Sequence, residues 1–384
     1  MIEAKDFSDR EIFPGQTGNL FDVLLHKTMA LDEIPSALFF FLMVALSFLG
    51  YLANGLFCLI FLVFILFDWI SISLLPKFHR SYGPVKPQVF FLALFRILPV
   101  LFTAPIIWIP LQILGCILQI YAFWFEPYRI SVTRQKIETN KLPPASRFAI
   151  LHIGDLHLER LSIREEKLNG LIRDISPDAI LFSGDYLSLS SIRNPQAWSD
   201  LKAVLREWRA PLGIFGVSGS PAVDLPENFP HLLDETPVRL LNDAVVFLDG
   251  NGGTLQVIGL ECTHAPHKDA PRLNELLKTT PSGFRILLHH SPDIAPLITD
   301  GQVDLQLSGH THGGQVCLPL TGPLFTGSLY GLKFQSGRYS LGKLVLYIIR
   351  GLGLEGLSAP RVRFLCPPEI VVWEITGINH KDAK

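Results

Sequence analysis

Between Ile34 and Pro76 the chain carries one charged residue, Asp68, and between Gln88 and Phe125 it carries one, Arg96. A bilayer core takes about 20 apolar residues per helix, so each stretch is roughly twice the length of one span and is expected to fold back on itself. Asn54-Gly55 divides the first stretch into helices near Ser36–Ala53 and Gly55–Leu75. Pro105 divides the second into Gln88–Thr103 and Ile106–Phe125. The third of these helices is short and contains Pro99, which leaves a re-entrant or interfacial segment open as its alternative. The expectation is an all-α transmembrane region of about four helices over residues 34–125.

The first apolar run starts only after a leader, residues 1–33, that holds Glu3, Lys5, Asp6, Asp9, Asp32 and Glu33; this fits a retained anchor and not a cleaved secretory signal. Basic residues lie before the first helix (Lys5, Arg10, Lys27), between the second and third (Lys77, Arg80, Lys86) and after the fourth (Arg129, Arg134, Lys136). By the positive-inside rule all three segments face the cytoplasm, and an even number of spans leaves the C-terminal half there too. The chain then reads as a multi-pass protein of the cell membrane. Asp68 and Arg96 would each lie roughly 12 Å deep, at about 1.5 Å of rise per residue. Isolated charges are costly at that depth, so a pair across the two helices is expected.

With 384 residues, 48% of them hydrophobic, and a formal charge of −2, the chain suits a globular domain joined to a more apolar module; it lacks the basic excess that nucleic-acid binding demands. Cys58, Cys116, Cys262, Cys317 and Cys366 form no C-x-x-C pair and read as buried thiols in a reducing compartment. Residues 126–147, with Pro127, Pro143 and Pro144, read as a linker, 148–376 as the second domain and 377–384 as a polar tail. The spans hold too few polar residues to favour a transporter.

In the second domain short apolar runs alternate with amphipathic segments: FAILHIGDLH (148–157), a helical pattern from Ile163 to Ile175, then DAILFSGDYL (178–187). Strands followed by helices imply an α/β fold, and open α/β sheets bind ligands at strand ends. GIFGVSGS (213–220), FRILLHHSPD (284–293) and VDLQLSGHTHGGQV (303–316) repeat the design. Asp155, His157, Asp185, His290, His310 and His312 thus gather at strand ends, and carboxylate oxygen with imidazole nitrogen suits borderline divalent cations. Manganese is the expected metal, with zinc or iron as alternatives.

The ordered motifs D-x-H, G-D, H and G-H-T-H resemble those of the calcineurin-like metallophosphoesterase superfamily over about residues 148–376. GHTHGGQVCLP (309–319), LYGLKF (329–334), RGLG (350–353) and PPEI (367–370) are similar to its membrane-associated branch, which includes YkuE-like phosphoesterases and chlamydial-type UDP-2,3-diacylglucosamine pyrophosphohydrolases. The resemblance implies a four-layer α/β/β/α sandwich and a metal-dependent hydrolase of a phosphoester or pyrophosphate bond. Carried over by position, Asp155, His157 and His312 hold a first metal, His290 and His310 a second, and Asp185 bridges both. Two cations roughly 3.5–4 Å apart can deprotonate a shared water and clamp the oxygens of an in-line displacement at phosphorus. The implied partners are a phosphorylated membrane-associated substrate and the lipid bilayer, since tethering raises their encounter.

One motif departs from the pattern. Where the family has Gly-Asn-His followed by an acid, this chain reads Gly219-Ser220-Pro221-Ala222, so an Asn ligand and a His that assists the transition state are missing. The second metal is therefore expected to be completed by water and to bind more weakly than the first, with Asp224 as a nearby substitute. Loss of a proton-transfer group costs about 100-fold to 10,000-fold in rate. A second reading follows, a catalytically impaired protein that senses a phosphorylated ligand. No catalytic acid or base is identified. Arg350, after the strand KLVLYII (343–349), is a candidate for binding substrate phosphate, with a salt bridge as its alternative. His152, His264 and His267 fit no motif and read as packing or surface residues, and His289 should face away from His290 by strand alternation.

Overall fold

The computed structural model of the protein describes residues 2–8, 20–50, 55–227, 229–354 and 356–379. The apolar half folds into α1 (Leu20–Glu33), α2 (Ser36–Gly50), α3 (Gly55–Leu74), α4 (Val85–Phe102) and α5 (Pro105–Ile120), the last continued by a π-helical turn, Tyr121–Phe125. Three helices, Gly55–Phe78, Val85–Phe102 and Ile106–Tyr128, are long and apolar enough to cross a membrane. With 15 residues α2 is shorter than a bilayer core requires. Together with α1, from which it is bent by 111°, it has the length and composition of a broken span or of a re-entrant loop. Of the four expected spans, three are thus matched by full-length apolar helices, and a fourth exists only if the bent pair is one span. The expected helix end at Ala53 and the break at Asn54 lie outside the described residues.

Phe39, Phe61, Ile65, Val89 and Trp108 are buried between these helices, while Phe41, Leu59, Phe95 and Ile106 are exposed on their outer faces. Large apolar side chains pointing outward are what a lipid-facing surface needs. Inside the bundle, Asp68 on α3 and Arg96 on α4 form the expected pair, with Arg96 Nε 2.5 Å from Asp68 Oδ2 and Nη2 2.7 Å from Oδ1. Arg96 Nη1 also donates to Gln112 Oε1 at 2.9 Å, so a third helix joins the network.

The second half contains fourteen strands among the described residues: β1 (Ser131–Thr139), β2 (Arg147–Ile153), β3 (Ala179–Phe182), β4 (Ile214–Gly216), β5 (Val238–Leu240), β6 (Ala244–Gly250) and β7 (Gly253–Gly259) form its first seven. The others are β8 (Phe284–Leu288), β9 (Leu305–Ser308), β10 (Cys317–Leu318), β11 (Gly322–Pro323), β12 (Gly337–Leu341), β13 (Leu344–Ile348) and β14 (Glu369–Gly377). Two six-stranded mixed sheets result, in the orders β1-β14-β2-β3-β4-β5 and β12-β13-β9-β8-β7-β6, with β10-β11 as a separate hairpin. Phe148, Ile150 and Leu181 of the first sheet meet Val257, Ile286 and Leu305 of the second in one core. The outer face of the first sheet is covered by α6 (Ile163–Ile175) and α7 (Pro195–Leu205); α8 (Phe229–Leu233) packs at its edge, and α9 (Pro266–Thr279) covers the second sheet.

Residues 126–147, read from sequence as a linker, instead contribute β1, which pairs in parallel with β14 from Ser131↔Glu369 to Thr139↔Gly377. Its alternating exposure puts Val132, Arg134, Lys136 and Glu138 outward, and those charges protect a sheet edge. Just before it, buried Glu126 accepts hydrogen bonds from the backbone N–H of Leu365 (2.9 Å) and Cys366 (2.6 Å), while Arg363 N donates to Ala122 O at 3.1 Å. The helices and the sheets are therefore joined by a packed, hydrogen-bonded junction.

Removing one partner of a buried ion pair leaves an uncompensated charge at a cost of about 3–5 kcal/mol, whereas replacing both with apolar residues is close to neutral. Arg96→Met should lower the melting temperature of the detergent-solubilised protein, and Asp68→Leu with Arg96→Met should recover most of the loss. A single variant as stable as the unmodified chain would contradict the role of this pair.

Candidate metal centre

Strands β2, β3 and β4 run parallel in one sheet, and β7, β8 and β9 run parallel in the other. Their C-terminal ends converge. Asp155 and His157 follow β2, Asp185 follows β3, Ser220 follows β4, His264 follows β7, His290 follows β8, and His310 and His312 follow β9. Asp155, His157, Asp185, His264, His310 and His312 all have positive φ, from 41° to 72°, in the left-handed region that side chains seldom adopt. The chain leaves each strand sharply and turns the side chain into the space between the sheets.

All six residues expected to hold metal, Asp155, His157, Asp185, His290, His310 and His312, are buried there. They form two groups. In one, Asp155, His157, Asp185 and His312 each offer a ligand atom within 4.8 Å of the others; in the second, His264, His290 and His310 do the same. Asp185 Oδ2 lies between the groups, 3.4 Å from His157 Nε2 and 3.3 Å from His290 Nε2. His290 Nδ1–H donates to the Ser183 carbonyl at 2.8 Å, which turns Nε2 toward the carboxylate.

The donor set fits divalent cations. Asp155 Oδ1 accepts from His310 N at 2.8 Å, but its Oδ2 and His312 Nδ1 are buried with no hydrogen-bond partner among the described residues. Buried polar atoms of this kind are costly unless something satisfies them. Burial and the neighbouring His290 hold the His310 imidazole down to about 3, and burial with His157 holds His312 well below its usual value, so both are neutral, the form that ligates metal. Burial pushes Asp155 up to about 6, with His290 opposing the rise. Burial also resists the charge on Asp185, but His290 and His157 outweigh it and hold that carboxyl well below the usual range.

Close approach demands glycine at two points. A Cβ on Gly219 would lie 2.1 Å from Asp185 Oδ1, and one on Gly309 would lie 2.2 Å from Asp155 Oδ2. The motif glycines therefore make room for the carboxylates.

Other sequence expectations are altered. Arg350 pairs with Glu369 (3.2 Å) and donates to Ser131 Oγ (3.0 Å), so it takes the salt-bridge alternative. The bridge is partly buried and anchors β1 to β14. Asp224, weighed as a substitute ligand, accepts from the backbone N–H of Gly219, Asp185 and Tyr186 at 2.7, 2.9 and 3.2 Å and so fixes the loop beneath Asp185. His264, read as a packing or surface residue, is buried in the second group. Its position after the strand TLQVIGL (254–260) was the available signal, since the other residues of the cluster follow strands in the same way. His289 faces away from His290 as expected, toward the Ser291 carbonyl (2.8 Å) and Asp269 (3.3 Å).

A cavity of about 260 Å³ opens on the cluster; it is lined by His157, Asp185, His310 and His312, by polar Ser220, Thr311 and Gln315, and by apolar side chains including Leu189, Val223, Val316, Phe325 and Val362.

Residues 148–314 match the family model of the calcineurin-like phosphoesterase. Over 280 residues the chain is 32% identical to the uncharacterized metallophosphoesterase YkuE of Bacillus subtilis, covering 67% of this chain and 90% of that protein. It is 31% identical to the phosphodiesterase YaeI of Escherichia coli, covering 66% of this chain and 92% of that protein. It is 28% identical to the UDP-2,3-diacylglucosamine pyrophosphatase LpxG of Chlamydia muridarum, covering 66% and 91%.

A methyl group at position 309 should displace Asp155. Gly309→Ala is expected to weaken cation binding about 10-fold to 100-fold, the usual cost of disturbing a ligand's support. Titration of the metal-free protein with manganese measures this, and an unchanged affinity would contradict the packing argument.

Proposed function

Because this chain belongs to the calcineurin-like metallophosphoesterases, we propose that it hydrolyses a phosphoester or pyrophosphate bond on a lipid-linked substrate drawn from the bilayer surface. The observation that carries this reading is the cavity, lined both by residues of the metal cluster and by a segment with apolar Ala359, Pro360 and Val362. That segment runs on into the junction with the helices: Arg361 N donates to Gln88 Oε1 on α4 at 2.9 Å, and Phe364 packs on Tyr121 at 6.1 Å between ring centroids. A phosphate at the ligand cluster would thus leave an attached apolar chain directed along a surface continuous with the membrane module. The pyrophosphatase named among the relatives acts, by its name, on a diacylated sugar nucleotide, which has that amphiphilic form.

In this reading Asp155, His157 and His312 hold one divalent cation, His290 and His310 hold a second, and Asp185 serves both. Cations so held lower the pKa of water and stabilise charge building on phosphoryl oxygens. Manganese suits the mixed carboxylate and imidazole donors. The basic residues flanking the apolar stretches support a cytoplasmic catalytic domain if the bent pair α1–α2 counts as one span and makes the number of crossings even. The reading as an impaired phosphate sensor rests on Ser220-Pro221 alone and is not favoured beside an intact cluster.

The β10-β11 hairpin supports membrane engagement. Leu318, Leu320 and Leu324 are exposed on it, and it is tied through Cys317 N to Phe364 O at 2.8 Å, beside the end of α5.

Purified protein in detergent with manganese should turn over an aryl phosphodiester. Asp155→Ala, Asp185→Ala and His312→Ala should each lose more than the about 10-fold to 100-fold expected for disturbing a ligand's support. Near-normal turnover in any of them would refute the assignment.

Leu318→Asp with Leu320→Asp should leave that soluble activity unchanged. It should raise the KM for a diphosphate lipid in vesicles about tenfold or more, burial of each leucyl side chain being worth about 1.5–3 kcal/mol. Equal loss on both substrates would contradict the membrane contact.

A further inference from the structure

We propose that His264 replaces the missing asparagine as a protein ligand of the second metal, so that the site is completed by a side chain from a different strand. This rests on the two-metal reading above and concerns only which residue of this chain fills the vacated coordination position.

The substitution leaves a short side chain where a longer ligand is expected. Ser220 Oγ lies 3.2 Å from His290 Nε2 and 3.3 Å from Asp185 Oδ2, and Ser220 N donates to Asp185 Oδ1 at 2.6 Å. The serine backbone therefore supports Asp185, while its side chain offers only a short hydroxyl beside the ligand nitrogen of His290. On another side of His290, the His264 ring centroid lies 5.9 Å from that of His290 and 4.4 Å from that of His310, with ligand atoms of the three within 4.8 Å of one another. Three imidazoles converging in a buried pocket make a good set for a borderline divalent cation.

The His264 ring is held in orientation. Its Nδ1 lies 3.9 Å from Cys262 Sγ. The loop carrying it is pinned by Asp269, which accepts from Thr263 Oγ1 at 2.6 Å and from Thr263 N at 3.2 Å and is itself backed by His289 at 3.3 Å. Ligating histidines are commonly fixed from behind in this way. His264 also has a φ of 55°, shared with five of the six other cluster residues, and strain of that kind persists where the surrounding structure enforces it. The expectation of a weak second site completed by water is thereby replaced by one of a second site with its own third histidine.

The test is metal stoichiometry of the full chain in detergent. The protein is loaded with manganese, freed of excess by gel filtration, and measured by elemental analysis and by the electron paramagnetic resonance of the bound ions. The unmodified chain should retain two ions with the signal of an exchange-coupled pair. His264→Ala should retain one, with an uncoupled signal, and should need about 10-fold to 100-fold more manganese to regain the second. Adding Ser220→Asn to His264→Ala should restore the pair, which a merely structural histidine would not allow. Circular dichroism checks folding, and His264→Phe, similar in volume but without a donor, takes the place of the alanine variant if that one unfolds. Two tightly retained, coupled ions in the histidine variants would overturn the inference alone. An unmodified chain that retains fewer than two would overturn the two-metal reading and the inference with it.

Discussion

The site depends on the shared position of the Asp185 carboxylate. A single oxygen, Oδ2, lies 3.4 Å from a histidine of one ligand group and 3.3 Å from a histidine of the other. Two separate sheets must deliver their strand ends to within a few ångströms for this to occur, and the core between the sheets fixes that separation. The glycines at 219 and 309 follow from it, since any larger residue would occupy space used by a carboxylate oxygen. So does Asp224, which holds three backbone N–H groups around the turn carrying Asp185. Buried carboxylates and imidazoles in this number are unstable without compensation, and their convergence argues for cations as its source.

A second constraint couples this site to the apolar helices. The segment 359–366 lines the cavity at one end and meets the helices at the other, where Gln88, Ala122 and Glu126 engage its backbone. Arg361 adds a link to the catalytic domain through Glu159 at 2.6 Å, and α1 packs Leu25 on Leu357 and Ala359. Movement of the helices relative to the sheets would therefore move a wall of the cavity. A flexible tether would have supplied proximity alone; a packed junction also fixes the direction in which the cavity faces.

Much of this was legible in sequence where one local rule sufficed. Apolar runs interrupted by Asn-Gly and proline announced the helices, and two isolated charges at equal depth announced their own pairing. Strands ending in D-x-H, G-D, H and G-H-T-H announced six residues of the cluster. β1 was missed because four of its five inward positions, Ser131, Thr133, Gln135 and Thr139, are polar and only Ile137 is apolar, so no alternation of apolar residues marks it. Arg350 was weighed as a phosphate ligand because its partner Glu369 lies on a strand that reaches it only in the folded sheet. His264 escaped for a related reason: it has no motif partner nearby, and its significance appears only when β7 is laid beside β8 and β9.

The account's central claim is a pair of cations sharing Asp185 at the meeting of the two sheets. Anomalous diffraction at the manganese edge, from crystals of the full chain grown with manganese, tests it most directly. Two peaks are predicted, one among Asp155, His157, Asp185 and His312 and the other among Asp185, His264, His290 and His310. A single peak, or a second peak remote from Asp185, would contradict it.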